Sequence, residues 1–375
     1  MGKRFLAAAA AAFCALGAFA QGITLPPSGG NQRQTVIQQI GPVKVSVEYS
    51  SPHVHSPGGE DRRGKIWGTL VPYGLTNLGF GTCKECPWRG GANENTVFTT
   101  SHDVVVQGQK LPAGTYALFF ITDPNEWTAI FSKNHTSWGS FFYDPAEDAL
   151  RVKVKPEKSE YREVLTYDFT ERKNDAATLA MKWEELAAPL QITVPNIADY
   201  YVAQIGNELR SSPGFSYENW LNAAQYAIQQ KRAPEALTWA QGAADPQKGG
   251  RETFQTLMTL AQAQELNGKT ADATATREKA MSHPTTTATD LHMYGRQLLT
   301  QKKKDDAIKV WELNAKRFPD AWPVNVSMAR ASSAKGNYPE ALKYAKAALA
   351  QAPDEGNKKS LEGAIKKLEA GQDIN

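Results

Sequence analysis

Ala273, Ala307 and Ala341 stand 34 residues apart (307 − 273, 341 − 307), and so do Pro319 and Pro353 (353 − 319). Twelve residues ahead of each alanine is another small residue: Ala261, Gly295 and Ala329. An earlier unit fits the same frame with Ala236, Ala224 twelve before it and Trp220 sixteen before it, although its step to Ala273 is 37. Repetition at such a period marks stacked units, none of which buries its apolar face alone. The paired small residues say what the unit is, because two antiparallel helices approach closely only where small side chains face each other. Leu257, Leu260, Leu298 and Trp311 then fill the space between successive pairs. The spacing predicts four helix pairs over residues 216–353 and a final helix over 357–370, charged on one face, that caps the stack.

Ahead of Pro195 the rhythm is different. "VKVSVEY" (43–49), "YALFFI" (116–121), "WTAIF" (127–131), "LRVKVK" (150–155), "VLTYDF" (164–169) and "ATLAMKW" (177–183) mostly place apolar residues at every second position. That period of two predicts strands with one wet and one buried face. Turn signals such as "QGQKLPAG", "DPNE" and "KND" separate them, so an antiparallel all-β sandwich is expected over 31–195. The chain is therefore read as multidomain, a sandwich followed by an all-α solenoid over 216–375. Between them, residues 196–215 carry Tyr200, Tyr201, Ile205 and Leu209 at the spacing of one amphipathic connecting helix, ended by "SSPG".

The N-terminus has Lys3 and Arg4, an apolar run over 5–19 and "AFA" at 18–20. This predicts a secretory signal peptide over 1–20, cleaved near Ala20. The run is shorter than the roughly 20 apolar residues of a membrane span. Cys14 lies inside it without the Leu-x-Gly/Ala context of a lipid-anchored cysteine. No later stretch reaches membrane-spanning length, so the mature chain is expected to be exported, periplasmic or extracellular, with no transmembrane segment. Loss of Lys3 and Arg4 would lower the formal charge of +3 by two. A near-neutral surface gives no reason to expect nucleic acid as partner.

The order of "KIWGTLVPYG" (65–74), "WRGGANENTVFT" (88–99), "LPAGTYALFFI" (111–121), "WTAIFSKN" (127–134), "WGSFFYD" (138–144) and "ALRVKVKPEK" (149–158) resembles one family. It is the secreted bacterial domain-of-unknown-function family 2911, over about residues 35–195. The resemblance implies a domain and no activity. In that pattern "VPYG" runs almost directly into "WR-GAN-E". Here residues 75–87 with "CKEC" are inserted, and "HVHSPGGED" lengthens the loop ahead of "RRGKIWG". The unusual residues thus fall on two extra loops flanking an expected strand at 66–71, and loops on a rigid sandwich commonly carry function. The helical half resembles the tetratricopeptide repeat, with "GNYPEALKYAKAALAQAP" (336–353) the closest match.

His53 and His55 are two apart, so in an extended segment both point to one side. Cys83 and Cys86 have the spacing of two thiolates on one tetrahedral metal. Together they form a possible Cys2His2 zinc set, the centre of a metal-binding module or a metal-dependent enzyme with Glu94 or Glu60 as general base. Glu60 and Asp61 are weaker oxygen-ligand candidates. The chain order is the reverse of familiar zinc fingers. The competing reading starts from compartment: outside the cytoplasm adjacent thiols oxidise, and a Cys83–Cys86 disulfide would brace the inserted loop. The disulfide is favoured. A thioredoxin-like pair lacks the helix N-terminus that such a thiolate requires.

Arg89, Asn93 and Glu94 lie among turn formers, where an Arg–Glu pair would brace a strand entry. Alternatively they line a ligand pocket with Trp67, Tyr73 and Trp88, whose aromatic faces and charged fork suit a sugar or peptide. Trp138 extends the carbohydrate reading. "DRRGK" (61–65) reads as a solvated basic face, and His102 and His135 as solvated loop residues. There is no G-x-S-x-G elbow, P-loop or H-E-x-x-H helix, so no catalytic residue is assigned. The expected function is an exported, non-catalytic binding or scaffolding protein whose helical repeats take a protein or peptide. No cofactor is assigned; zinc is the one candidate.

Overall fold

The computed structural model describes residues 30–319 and 321–375. The expected signal peptide, with Cys14, lies outside the described residues. The chain divides after Ile197 into two compact units.

In the first unit the strands are β1 (Gln32–Ile40), β2 (Val43–Ser51), β3 (Val97–Thr100), β4 (Val104–Val106), β5 (Gln109–Leu111), β6 (Gly114–Ile121), β7 (Trp127–Ser132), β8 (Asp148–Val154), β9 (Glu157–Thr170) and β10 (Ala176–Thr193). They form a six-stranded sheet, β1-β2-β3-β6-β7-β8, and a four-stranded sheet, β5-β4-β10-β9. Every paired neighbour runs antiparallel. The period of two is visible in β2, which buries Val43, Val45, Val47 and Tyr49, and in β8, which buries Leu150, Val152 and Val154. Across the core, Tyr49 of β2 meets Tyr167 of β9 edge to face at 4.8 Å, and its hydroxyl accepts from the Tyr167 N–H at 3.1 Å. Burying rings of this size contributes roughly 1.5–3 kcal/mol each before the entropy of ordering them is subtracted.

Strand β6 departs from the expected wet-and-dry alternation. Ala117 to Phe120 are all buried, because the far face of the sheet is covered as well. Cys83, Cys86 and Tyr143 pack there against Ala117, Phe119 and Ile130. The inserted segment 75–87 thus covers that face through its two cysteines, while Leu75, Leu78 and Phe80 stay exposed. Strand β10 runs on past Trp183 through bulges at Glu184. Its Pro189 falls between the last pairing with β9, at Ala187, and the first with β4, at Ile192, where no ladder N–H is needed.

The expected strand at 66–71 is not present. Instead the Val71 N–H bonds to the Ile66 carbonyl at 2.8 Å and the Gly68 N–H to the Val71 carbonyl at 2.8 Å, closing a tight turn. Gly68 sits at φ +80°, and a Cβ there would lie 2.5 Å from the Tyr73 ring, so only glycine fits.

The second unit begins with α1 (Ile197–Glu208), whose packed side is Val202 and Ile205 with Leu209 beyond its end, set against Ala223, Ala224 and Ala227. Tyr201, expected on that side, is 37 % exposed and meets Tyr226 edge to face at 6.1 Å. Then come four helix pairs: α2 (Tyr217–Gln229) with α3 (Ala233–Ala244), α4 (Phe254–Leu266) with α5 (Thr270–Ser282), α6 (Ala288–Thr300) with α7 (Lys304–Arg317), and α8 (Trp322–Ala334) with α9 (Tyr338–Ala350). The last helix, α10 (Glu355–Glu369), packs on α9 through Leu368. Ala224, Ala236, Ala261, Ala273, Gly295, Ala307, Ala329 and Ala341 are all buried, as close approach of paired helices requires. The arrangement is tetratricopeptide-like. Helices α4 and α6 both start with reciprocal capping boxes, Thr253 with Thr256 and Thr287 with Asp290.

Candidate functional site

The loops between β2 and β3 assemble a pocket on the sandwich. His53 bridges to Val164 of β9, and Arg62 folds back so that its Nε donates to the Val54 carbonyl at 2.9 Å and its Nη2 to the His53 carbonyl at 2.8 Å. The tight turn after it delivers Trp67 into a cluster of indoles, 5.7 Å from Trp88, 4.9 Å from Trp127 and 5.8 Å from Trp183. Short bridges, Gly74 to Thr122, Thr76 to Cys86 and Trp88 to Phe120, pin the following segment along the sheet.

These segments line a cavity of about 350 Å³, open to solvent past Leu70 and Leu78, whose walls include Arg62, Leu70, Val71, Trp88, Arg89 and Trp183. Arg89 lies 5.1 Å from the Trp138 ring centroid and 5.2 Å from that of Phe141, stacked on both, and its Nη1 donates to the Asn93 carbonyl. Burial lowers the pKa of this guanidinium. Gly139, at φ +61°, makes the stack possible: a Cβ there would lie 2.6 Å from Arg89 Cζ.

The sequence-predicted residues divide accordingly. Trp88 and Arg89 line the cavity, and Trp67 stands behind Trp88. Tyr73 packs over Gly68 and is 43 % exposed. Asn93, at φ +57°, offers its carbonyl to Arg89. Glu94 does not pair with Arg89; it meets Arg33 at 3.2 Å and accepts from the Ser50 hydroxyl at 3.2 Å. The bracing of Arg89 thus comes from a backbone carbonyl and two rings. Of the tryptophans considered for sugar stacking, Trp67 and Trp88 have ring neighbours inside the fold, whereas Trp138 is 52 % exposed. The second arginine and the second indole of the wall, Arg62 and Trp183, were not singled out by sequence reasoning. Arg62 read as part of a solvated basic run, and Trp183 read only as a strand residue.

The four residues of the possible zinc set are not gathered. Cys83 and Cys86 are paired with each other, Cα to Cα 5.6 Å, and packed in the apolar layer on β6. His55 faces Glu163 instead, with Nδ1 2.9 Å from Oε2. Tyr161 donates to the same carboxylate at 2.6 Å. Partial desolvation opposes ionisation of Glu163, but the bonds from Tyr161 and His55 prevail and hold its pKa at about 2. Asp61 is held at about 2 by hydrogen bonds from Arg63, and Glu60 faces Lys65 at 3.9 Å. Among the described residues no group of three or more His, Cys, Asp or Glu side chains is placed to hold a metal ion.

The helical unit offers a second kind of surface. The residue following each buried small residue of the first helix in a pair is Gln225, Gln262, Arg296 or Arg330. Gln225 and Arg296 are exposed, and Gln262 and Arg330 half-buried. Burial and the neighbouring Arg296 lower the Arg330 pKa. Burial, then Arg330 and Arg296, push His292 down to about 4; its Nδ1 is 2.8 Å from the Ser327 hydroxyl. Beside this row, a cleft of about 400 Å³ opens between the second and third pairs, walled by Met258, Arg277, Met281, Tyr294, Gln297 and Lys309.

Residues 31–192 match the model of a family described as "Protein of unknown function (DUF2911)". No curated protein matches the chain. Among solved structures, the chain is similar to MamA at 19 % identity, over 41 % of this chain and 88 % of that one, with a TM-score of 0.29. It is also similar to a tetratricopeptide repeat protein from Parabacteroides merdae at 14 % identity, over 47 % of this chain and 71 % of that one, with a TM-score of 0.30.

Proposed function

We propose that this chain is an exported, non-catalytic binding and scaffolding protein whose helical array takes a protein or peptide segment. The observation that carries this reading is the row Gln225, Gln262, Arg296 and Arg330. Stacking similar units places one polar residue per pair at a regular interval, exposed at Gln225 and Arg296 and half-buried at Gln262 and Arg330, which suits an extended chain running along the array. The exposed Arg296 favours a segment that carries acidic side chains, and the nearby Arg330, whose Nη1 donates to the Ile374 carbonyl at 3.1 Å, adds to the positive charge there. Export is supported by the paired Cys83 and Cys86, which suit an oxidising compartment. Among the described residues no helix is long and apolar enough to cross a membrane.

Selecting a random peptide library on the full chain tests the reading. The expected result is enrichment of acidic sequences that no longer bind Arg296→Glu. Enrichment of nothing, or of sequences that bind the variant equally well, would overturn it.

A further inference from the structure

We infer that the cavity walled by Arg62, Arg89 and Trp183 is a binding site for a small organic carboxylate with an apolar or aromatic body. The inference concerns the sandwich alone and is independent of the peptide reading.

Two observations point to the charge of the ligand. First, each guanidinium carries five N–H donors and no acceptor. Arg62 uses two on backbone carbonyls and Arg89 one, so most of their donors have no protein acceptor. Second, among the described residues neither arginine is ion-paired, and no Asp or Glu lines the cavity. A partly buried guanidinium without a counter-ion is costly, and a ligand anion offsets that cost. The wall is therefore rich in donors and positive, and the complement is an acceptor-rich anion.

The rest of the wall limits what the anion is attached to. Leu70, Val71, Pro72, Leu78 and the Trp88 ring present apolar surface, so a bare inorganic ion would leave most of the cavity unfilled. The volume lies at the small end of the roughly 300–1,000 Å³ range of small-molecule sites. A planar carboxylate matches the guanidinium fork, and an aryl or short alkyl body matches the apolar side. The segment 75–87 supplies Thr76, Leu78, Cys86 and Pro87, so the Cys83–Cys86 pairing braces one wall of the site.

The test uses the full chain and follows tryptophan fluorescence and calorimetric heat with 3-phenylpropionate, 3-phenylpropanol and inorganic phosphate. The carboxylate is expected to bind about tenfold or more tightly than the alcohol, the difference a charge-assisted hydrogen bond supplies, and phosphate more weakly than the carboxylate. Arg62→Gln should weaken the carboxylate by a similar factor and leave the alcohol unchanged. Arg89→Met should do the same if circular dichroism shows it folded; Arg62→Gln decides the matter if it is not. Arg296→Glu should have no effect, which separates this site from the helical array. Equal binding of acid and alcohol, no binding of the acid, phosphate binding as tightly as the acid, or an Arg62→Gln variant that binds the acid like the parent would each overturn the inference.

Discussion

Gly295 of α6 lies directly under the edge of Trp311 of α7: a Cβ built on the glycine would stand 2.1 Å from the indole Nε1. The ring has nowhere to move, being fully buried with its N–H bonded to the His292 carbonyl at 3.1 Å. In an exposed helix, Gly→Ala stabilises by up to about 1 kcal/mol. Here the added methyl overpacks the helix crossing, and Gly295→Ala is expected to destabilise the helical unit by about 1–3 kcal/mol. Thermal unfolding followed by circular dichroism should show a lower midpoint, by roughly 2–4 °C per kcal/mol. A raised midpoint would show that the pair is not packed this closely.

Acid should loosen the same region. Burial holds His292 at about 4, below its ordinary value near 6.5. Between those values the unfolded chain takes up a proton that the folded chain excludes. Stability therefore falls as pH drops from 6.5 to 4 and levels off below, by at most about 3 kcal/mol. Urea unfolding at pH 7, 5 and 4 should show a smaller acid loss for His292→Gln than for the parent. Parallel curves would mean that the histidine titrates normally.

The rhythm change and the repeat were legible because each depends only on side-chain size and spacing. Ala273, Ala307 and Ala341 revealed the helix pairs, and "VKVSVEY" revealed β2, since one buried face per element leaves a period in the chain. What escaped notice had no period. Strand β1 reads "QRQTVIQQI" and pairs with β2 alone, so it carries little apolar signal. The length of β10 was hidden by Glu184, Glu185 and Pro189. The turn at 66–71 looked like a strand because Ile66 and Val71 are both buried, although the positive φ of Gly68 reverses the chain between them. Arg62 and Trp183 were missed as cavity residues for the same kind of reason. Arg62 and Trp183 are 121 positions apart (183 − 62), and only the packing of the two sheets brings them to one wall.

Cys83 and Cys86 are expected to be oxidised in the protein purified without reductant. Intact mass should be two hydrogens below that of the reduced chain, with no thiol at either position. The enclosed loop is so short that removing the bond in Cys83→Ala/Cys86→Ala should cost no more than roughly 2 kcal/mol in loop entropy, plus the loss of buried sulfur contacts with Phe119 and Tyr143. Stoichiometric metal with two free thiols would contradict this.

Gly139→Ala should act on the sandwich through Arg89. The new methyl meets the guanidinium, and the backbone at φ +61° disfavours any side chain, so a loss of about 1–3 kcal/mol is expected. Near-ultraviolet circular dichroism should also change as Arg89 leaves the Trp138 and Phe141 rings. An unchanged spectrum and midpoint would show that Arg89 is not seated there.

The most direct measurement of the central claim, that the helical array binds an extended acidic segment along its repeated row, is the dissociation constant of one selected peptide for the full chain, for Gln262→Glu and for Arg296→Glu. Both substitutions are predicted to weaken binding, Arg296→Glu by about tenfold or more, with a steep loss of affinity in the parent as salt rises. Equal affinity in all three proteins, unchanged by salt, would contradict it.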